Sequence, residues 1–199
     1  MKSRFAFWLL SGVLLALFGA FQLPPVVVPD PPDTEIKWMT FEEAVERSKK
    51  EKRKIFIDVY TDWCGYCKVM DKKTFTDEKI IRLMNEKFYP VKFNAEQKED
   101  VVFNGHTFKF VESGRSGYHE LAASLLNNQL SYPNFVFLTD DFKIVPVIPG
   151  YPSLPGYREP REFHFFLSYV AEDHWRKMQV ADYQKIYQSP YPAAEKQNP

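Results

Sequence analysis

Cys64 and Cys67 are the only two cysteines in the chain. They stand in a single C-x-x-C, Trp63-Cys64-Gly65-Tyr66-Cys67. With no third cysteine they take no part in a framework of structural bridges. At a helix start, this spacing lets two thiols close a disulfide with each other and pass it to another protein, so the pattern points to thiol–disulfide exchange. The attacking species in that chemistry is a thiolate. The positive end of a helix lowers a thiol pKa, which makes Cys64, at the helix start, the nucleophile. Cys67 follows about one turn later, within reach of the mixed disulfide. Trp63 is expected to flank an exposed sulfur. A static bridge would close too short a loop to stabilise much. Zinc would need two further ligands. The four histidines, His106, His119, His164 and His174, contain no H-x(3–5)-H pair, so no metal site is expected.

Asp58 interrupts an apolar run six residues before Cys64. A buried carboxylate is costly unless paired or neutral. Asp58 is therefore either an acid–base group for Cys67 or a strand-end carboxylate reaching solvent. Lys92, in Val91-Lys92-Phe93-Asn94, either pairs with Asp58 or snorkels to an edge. Tyr132-Pro133 precedes another apolar run, and a proline at the first position of a strand is compatible with a cis bond.

These residues need a frame. Thr40 and Glu43 form a capping-box pattern ahead of a helix to about Lys52, with Phe41, Ala44, Val45 and Ser48 on one face. Ile55 to Tyr60 reads as a strand buried on both faces. The C-x-x-C opens a helix to about Lys73. Thr76 is expected to cap the next helix, with Asp77 and Glu78 in its first turn and Ile80, Ile81, Leu83 and Met84 as its apolar face. Tyr89 to Asn94 is a second strand. Val101 to Val111 reads as one hairpin turning at Asn104-Gly105. A helix is expected from the neighbourhood of Tyr118 and His119 to Leu126, then strands Asn134–Thr139 and Phe142–Ile148. Pro160 starts the last expected helix, carrying Phe163, Phe166, Leu167 and Val170. This order predicts an α/β fold, a sheet covered by helices on both faces.

The chain has 199 residues, 45% of them hydrophobic, and zero formal net charge. That suffices for one sizeable core, and the charge balance argues against nucleic acid. Lys2 and Arg4 precede an uncharged run from Phe5 to Phe21. Residues 1–22 thus read as a cleaved signal peptide or a membrane anchor, with the remainder exported to the periplasm or cell envelope. In that compartment disulfides persist. Residues 23–33 are a proline-rich linker, 34–188 the folded domain and 189–199 a flexible tail.

Asp58, the Trp63–Cys67 motif, Lys92 and Tyr132-Pro133 occur in an order and approximate spacing that resembles the thioredoxin superfamily. The stretch Asp58-Val59-Tyr60-Thr61-Asp62-Trp63-Cys64, with Thr74-Phe75-Thr76-Asp77 after it, is similar to exported bacterial thioredoxin-like domains of thiol-reductant proteins. The resemblance covers roughly Lys54 to Val170. It implies a thioredoxin-like fold with a central mixed sheet, Cys64 as nucleophile, Cys67 as resolving cysteine, Asp58 as buried acid–base group and Lys92 as its partner. It also implies a cis Pro133, with Trp63, Tyr132 and Pro133 binding an extended substrate. Three features depart from the pattern. Gly65-Tyr66 resembles the central pair of periplasmic disulfide isomerases, which leaves the direction of electron flow open. About twenty extra residues, from Glu99 to Gly117, carry the hairpin and either extend the sheet or shape a partner surface. Tyr151 to Glu159 lengthens a loop. The expected activity is a protein thiol–disulfide oxidoreductase whose only redox group is its own disulfide. Its expected partners are protein thiols or disulfides and a protein that reduces it, since no Gly-rich nucleotide loop is present. Isomerase or oxidase activity, or a binding module with a disulfide that does not exchange, are the alternatives.

Overall fold

The computed structural model describes residues 33–114 and 116–192. Segment 1–22, the spacer up to residue 32, and the tail beyond Pro192 lie outside them. Among the described residues no helix is long and apolar enough to cross a membrane.

Helix α1 (Phe41–Lys50) starts at a complete capping box. Thr40 Oγ1 accepts from the Glu43 amide at 3.2 Å, and the Glu43 carboxylate accepts from the Thr40 amide at 2.9 Å. Strand β1 (Lys54–Tyr60) follows, and five consecutive residues of it are buried. Helix α2 (Gly65–Val69) runs on into a π turn at Met70–Thr74, closed by the Phe75 amide on Met70 O. Helix α3 (Glu78–Lys87) leads into β2 (Phe88–Asn94). Two hairpins come next: β3 (Val101–Phe103) with β4 (His106–Phe108), and β5 (Phe110–Ser113) with β6 (Ser116–His119). Helix α4 (Glu120–Leu125), β7 (Asn134–Leu138), β8 (Leu154–Pro155) and α5 (Pro160–Ala171) follow. A 3-10 turn (His174–Arg176) and α6 (Val180–Ile186), with Tyr183 buried, then pack on α5.

The central sheet is mixed, in the order β2–β1–β7–β8. β1 is parallel to β2 and antiparallel to β7, and β8 is antiparallel to β7. Strand alternation divides β1 between two cores. Ile55, Ile57 and Val59 pack with Phe41 of α1 and with Leu121 and Leu125 of α4. Phe56 points the other way, among Met70, Phe75, Ile80, Met84, Phe163 and Leu167. Helices therefore cover both faces, as expected.

Several local expectations are corrected. Asp77, not Thr76, caps α3: its carboxylate accepts from the Lys79 and Ile80 amides at 3.0 and 3.1 Å. Thr76 Oγ1 instead donates back to Lys72 O. The stretch Val101–Val111 is not one hairpin. It breaks at Lys109, whose amide and carbonyl both bond to Glu120. Neither hairpin joins the central sheet. Tyr118 and His119 belong to β6, and the His119 ring caps α4 by accepting from the Leu121 amide at 3.2 Å. Phe142–Ile148 is not a strand. Pro146 lacks the donor a ladder needs, and backbone pairing with β7 is limited to a bridge from Ile144 to Leu138, with the Val145 amide donating to Phe137 O at 2.8 Å. β8 takes the place beside β7. In the tail, the Tyr191 hydroxyl donates to Asp77 Oδ1 at 2.6 Å.

Candidate active site

The C-terminal end of β1 delivers the chain to α2, and the turn is fixed by the Cys64 amide donating to Thr61 O at 3.1 Å. Cys64 is the N-cap. Its sulfur accepts from the Cys67 amide at 3.1 Å, so a first-turn N–H of the helix already points at that atom. Cys64 and Cys67 are bonded as a disulfide. The sequence expectation of an exposed sulfur is corrected: Cys64 is 4% exposed. Trp63 stands edge-on to Tyr132 at 5.9 Å, and Tyr66 lies 6.0 Å from Tyr157. Trp63 and Tyr66 themselves are 66% and 65% exposed, the highest values for large apolar side chains among the described residues.

Asp58 projects from β1 on the same side as Phe56, the side on which α2 runs. It is 1% exposed. The parallel register sets it directly opposite Lys92 of β2, and the ammonium reaches to 3.0 Å from Asp58 Oδ2. Neither Asp58 oxygen has a well-aligned hydrogen bond. Burial pushes this carboxyl up to about 6 from an ordinary 3.8, and the Lys92 charge offsets only part of that effect. Of the two sequence readings, the buried one therefore holds for Asp58 and the paired one for Lys92.

Asp71 is the site residue that sequence reasoning missed. It sits in the π turn and accepts a hydrogen bond from Lys92. A signal was present, since Asp71 follows Cys67 by four positions and so shares its helix face. Lys92 thus bridges a buried and a half-open carboxylate. Its ammonium also lies 5.1 Å from the rings of Trp38 and Phe75 and 5.3 Å from that of Tyr60. Burial acts to lower the Lys92 pKa. The two carboxylates outweigh it, and the net direction is up, so Lys92 is a fixed cation.

The Tyr132–Pro133 bond is cis, and Pro133 directly precedes β7, whose first residue, Asn134, pairs with Val59 of β1. That register sets Pro133 at the end of the sheet where the C-x-x-C begins. Neither the N–H nor the C=O of Tyr132 bonds to another backbone group among the described residues. The indole N–H of Trp63 donates to Glu96 at 3.0 Å. Among the described residues no cluster of three or more His, Cys, Asp or Glu could hold a metal ion.

A C-x-x-C disulfide at a helix start, a buried Asp–Lys pair across two neighbouring strands and a cis-proline at the head of a third define a thioredoxin-fold redox domain. The chain belongs to the Thioredox_DsbH family, described as a protein of unknown function, DUF255, whose model matches residues 30–186. Over 77 residues it is 35% identical to mouse spermatogenesis-associated protein 20, a match that covers 39% of this chain and 10% of that protein. Over 83 residues it is 30% identical to the thiol:disulfide interchange protein DsbD of Campylobacter jejuni strain RM1221, covering 38% of this chain and 15% of that one. The chain thus spans a small part of the length of the curated relatives it matches. A solved thioredoxin-fold protein from Helicobacter pylori superposes with a TM-score of 0.52 at 14% identity, covering 78% of this chain and 91% of that one, which shows the fold.

Proposed function

We propose that this protein is a thiol–disulfide oxidoreductase that reduces protein disulfides in the cell envelope. The observation that carries the reading is the buried Asp58–Lys92 pair on the α2 side of a sheet whose end carries the Cys64–Cys67 disulfide. A static bridge has no use for a carboxyl poised near neutrality, whereas an exchanging one needs a place for a proton.

In the reduced protein, the Cys64 thiolate attacks one sulfur of the substrate disulfide. The Cys64–substrate bond forms, the substrate S–S bond breaks, and the first substrate sulfur leaves as a thiolate. Cys67 then gives its proton to Asp58 and attacks Cys64. The Cys64–Cys67 bond forms, and the second substrate thiolate departs. The substrate disulfide gains two electrons, and the protein dithiol loses them. Lys92 keeps the carboxylate form of Asp58 accessible, so that it can accept that proton. Another protein resets the dithiol by the reverse exchange. The disulfide is the only redox group this scheme requires. Location in the envelope, by signal peptide or inner-membrane tether, rests on Lys2, Arg4 and the uncharged run Phe5–Phe21.

Replacing the resolving thiol tests the reading. Cys67→Ala expressed in cells should accumulate mixed disulfides through Cys64 that dithiothreitol releases. If no such adducts form, the proposal fails and a binding module with an inert disulfide takes its place. A redox titration against glutathione separates reductase from oxidase or isomerase, since thioredoxin-like potentials span about −270 to −120 mV.

A further inference from the structure

His119 ends β6, and its side chain is fully buried although the ring carries two polar nitrogens. Both are used. Nδ1 lies 3.2 Å from the Leu121 amide, which can only donate, so Nδ1 must hold a lone pair. Nε2 lies 3.1 Å from Glu99 O, which can only accept, so Nε2 must hold the hydrogen. One species meets both demands, the neutral imidazole with its hydrogen on Nε2. Glu99 is the first residue of the hairpin-bearing insertion, His119 stands two residues past its last, and Leu121 lies in the first turn of α4. The ring therefore clasps the two ends of the insertion together and caps the helix that follows. The His119 amide adds a bond to Ala95 O at 2.6 Å, and the Ala95 amide donates to Tyr60 O at 2.8 Å, at the end of β1. The next residue, Glu96, accepts the Trp63 indole N–H. The insertion is thus fastened at the segment that borders the active-site turn.

We infer that His119 is a pH-operated latch: the neutral ring holds the two hairpins and the first turn of α4 on the domain, and the protonated ring releases them. A proton on Nδ1 would point at the Leu121 N–H. The cap would be lost, and two buried donors would face each other without an acceptor. The ring's surroundings set the balance. Phe93 of β2 meets it edge-on at 5.3 Å and brings no charge. Glu42 of α1, Asp100 ahead of β3 and Glu120 of α4 favour the charged ring, as does the Glu99 carbonyl. Two of these carboxylates are engaged elsewhere: Asp100 with the Lys109 ammonium at 3.6 Å, and Glu120 with the Lys109 amide at 2.7 Å. Burial opposes all four and prevails, so His119 lies below the ordinary 6.5 of a histidine. The folded state thus favours the neutral ring. Its contribution is fully present above pH 6.5 and is lost as the pH falls from there through the lower folded value. Asp58 acts in the opposite sense, since acid favours its buried neutral form. Acidification should therefore open the insertion while leaving β1 closed.

Hydrogen exchange of the oxidised full chain across the pH range around 6.5, corrected for the intrinsic pH dependence of exchange, tests the latch. The opening constant of the amides of β3 to β6 and of Leu121 should be flat above pH 6.5 and rise below it, with a limiting slope of about 10-fold per pH unit, that of one proton. The amides of β1 should show no such rise. His119→Asn offers an amide oxygen to the Leu121 N–H and does not titrate, so its hairpin amides should open with no slope. His106, the insertion's other histidine, is exposed, and His106→Asn should leave the slope intact. Ring nitrogen resonances of the wild-type protein supply a check that needs no variant: His119 should carry its hydrogen on Nε2 at neutral pH and titrate below 6.5. A hairpin that stays equally closed across the range overturns the inference. So does a slope that survives in His119→Asn, or a ring that carries its hydrogen on Nδ1.

Discussion

Asp58 and Lys92 face each other across the parallel register of β1 and β2, with the ammonium 3.0 Å from a carboxylate that is 1% exposed. The pair is not isolated. Lys92 also holds Asp71 and sits among three aromatic rings, so one cation is shared between an interior acid and one near solvent.

The pH dependence of stability follows from the direction of the Asp58 shift. Its folded pKa, about 6, lies above the ordinary 3.8, so the folded state favours the neutral acid. That contribution is fully present below pH 3.8 and is lost as the pH rises through about 6. At pH 8, ionising Asp58 costs up to about 3 kcal/mol, from roughly two pH units at about 1.4 kcal/mol each. Asp58→Asn should therefore stabilise the oxidised protein at pH 8 and change little at pH 4. Urea denaturation at the two pH values checks this, and equal differences at both would count against a buried, shifted carboxyl.

Asp71 acts on Asp58 in two ways. Its negative charge raises the Asp58 pKa, and its hydrogen bond engages the cation that would lower it. Asp71→Asn removes the charge and frees Lys92, so Asp58 should titrate below about 6. The carboxyl carbon resonance of Asp58, followed by NMR through a pH titration, gives the midpoint directly. A midpoint that stays or rises would show that Asp71 is not coupled to the site.

The cap of α3 offers a contrast between neighbours. Asp77→Ala removes the acceptor for two amides and for the Tyr191 hydroxyl, and should cost about 1–2 kcal/mol. Thr76→Ala, at the position the sequence suggested, should cost under about 0.5 kcal/mol, as for an ordinary surface change. Chemical denaturation of the two variants ranks them, and a larger loss for Thr76 would reverse the assignment.

Gly117 tests the second hairpin. A Cβ there would meet the Phe110 ring and Val111 O, a backbone atom that cannot easily yield. Gly117→Ala should loosen β5 and β6 at a cost of about 1–3 kcal/mol. Hydrogen exchange should speed up for amides from Phe110 to His119 while those of β1 stay protected. Unchanged protection in the hairpin would refute the packing.

The parts of the molecule legible in the sequence were those with a strong local signature. β1 is a β-branched and aromatic run, α1 carries its capping box, and the cysteine spacing names the reactive end of α2. Asp58 stood out as a charge in an apolar run, and burial explains why. Asp71 offered only its spacing from Cys67 as a signal, and its role depends on the π turn that brings it against Lys92. The hairpins were misread because apolar alternation continues through Lys109, while the break there is made by Glu120, eleven residues away. Tyr157 lies in a Pro- and Gly-rich loop without periodicity, and its position depends on bonds to Pro133, Thr74 and Met70 that no local pattern encodes.

The sheet edge next to Pro133 is only two residues long, and one of them is Pro155. A short edge with a proline offers almost no ladder to an incoming strand. An extended chain that approached this end of the sheet would therefore meet a rim that cannot recruit it into a growing sheet. The same two residues that close the fold also guard it against edge-to-edge aggregation.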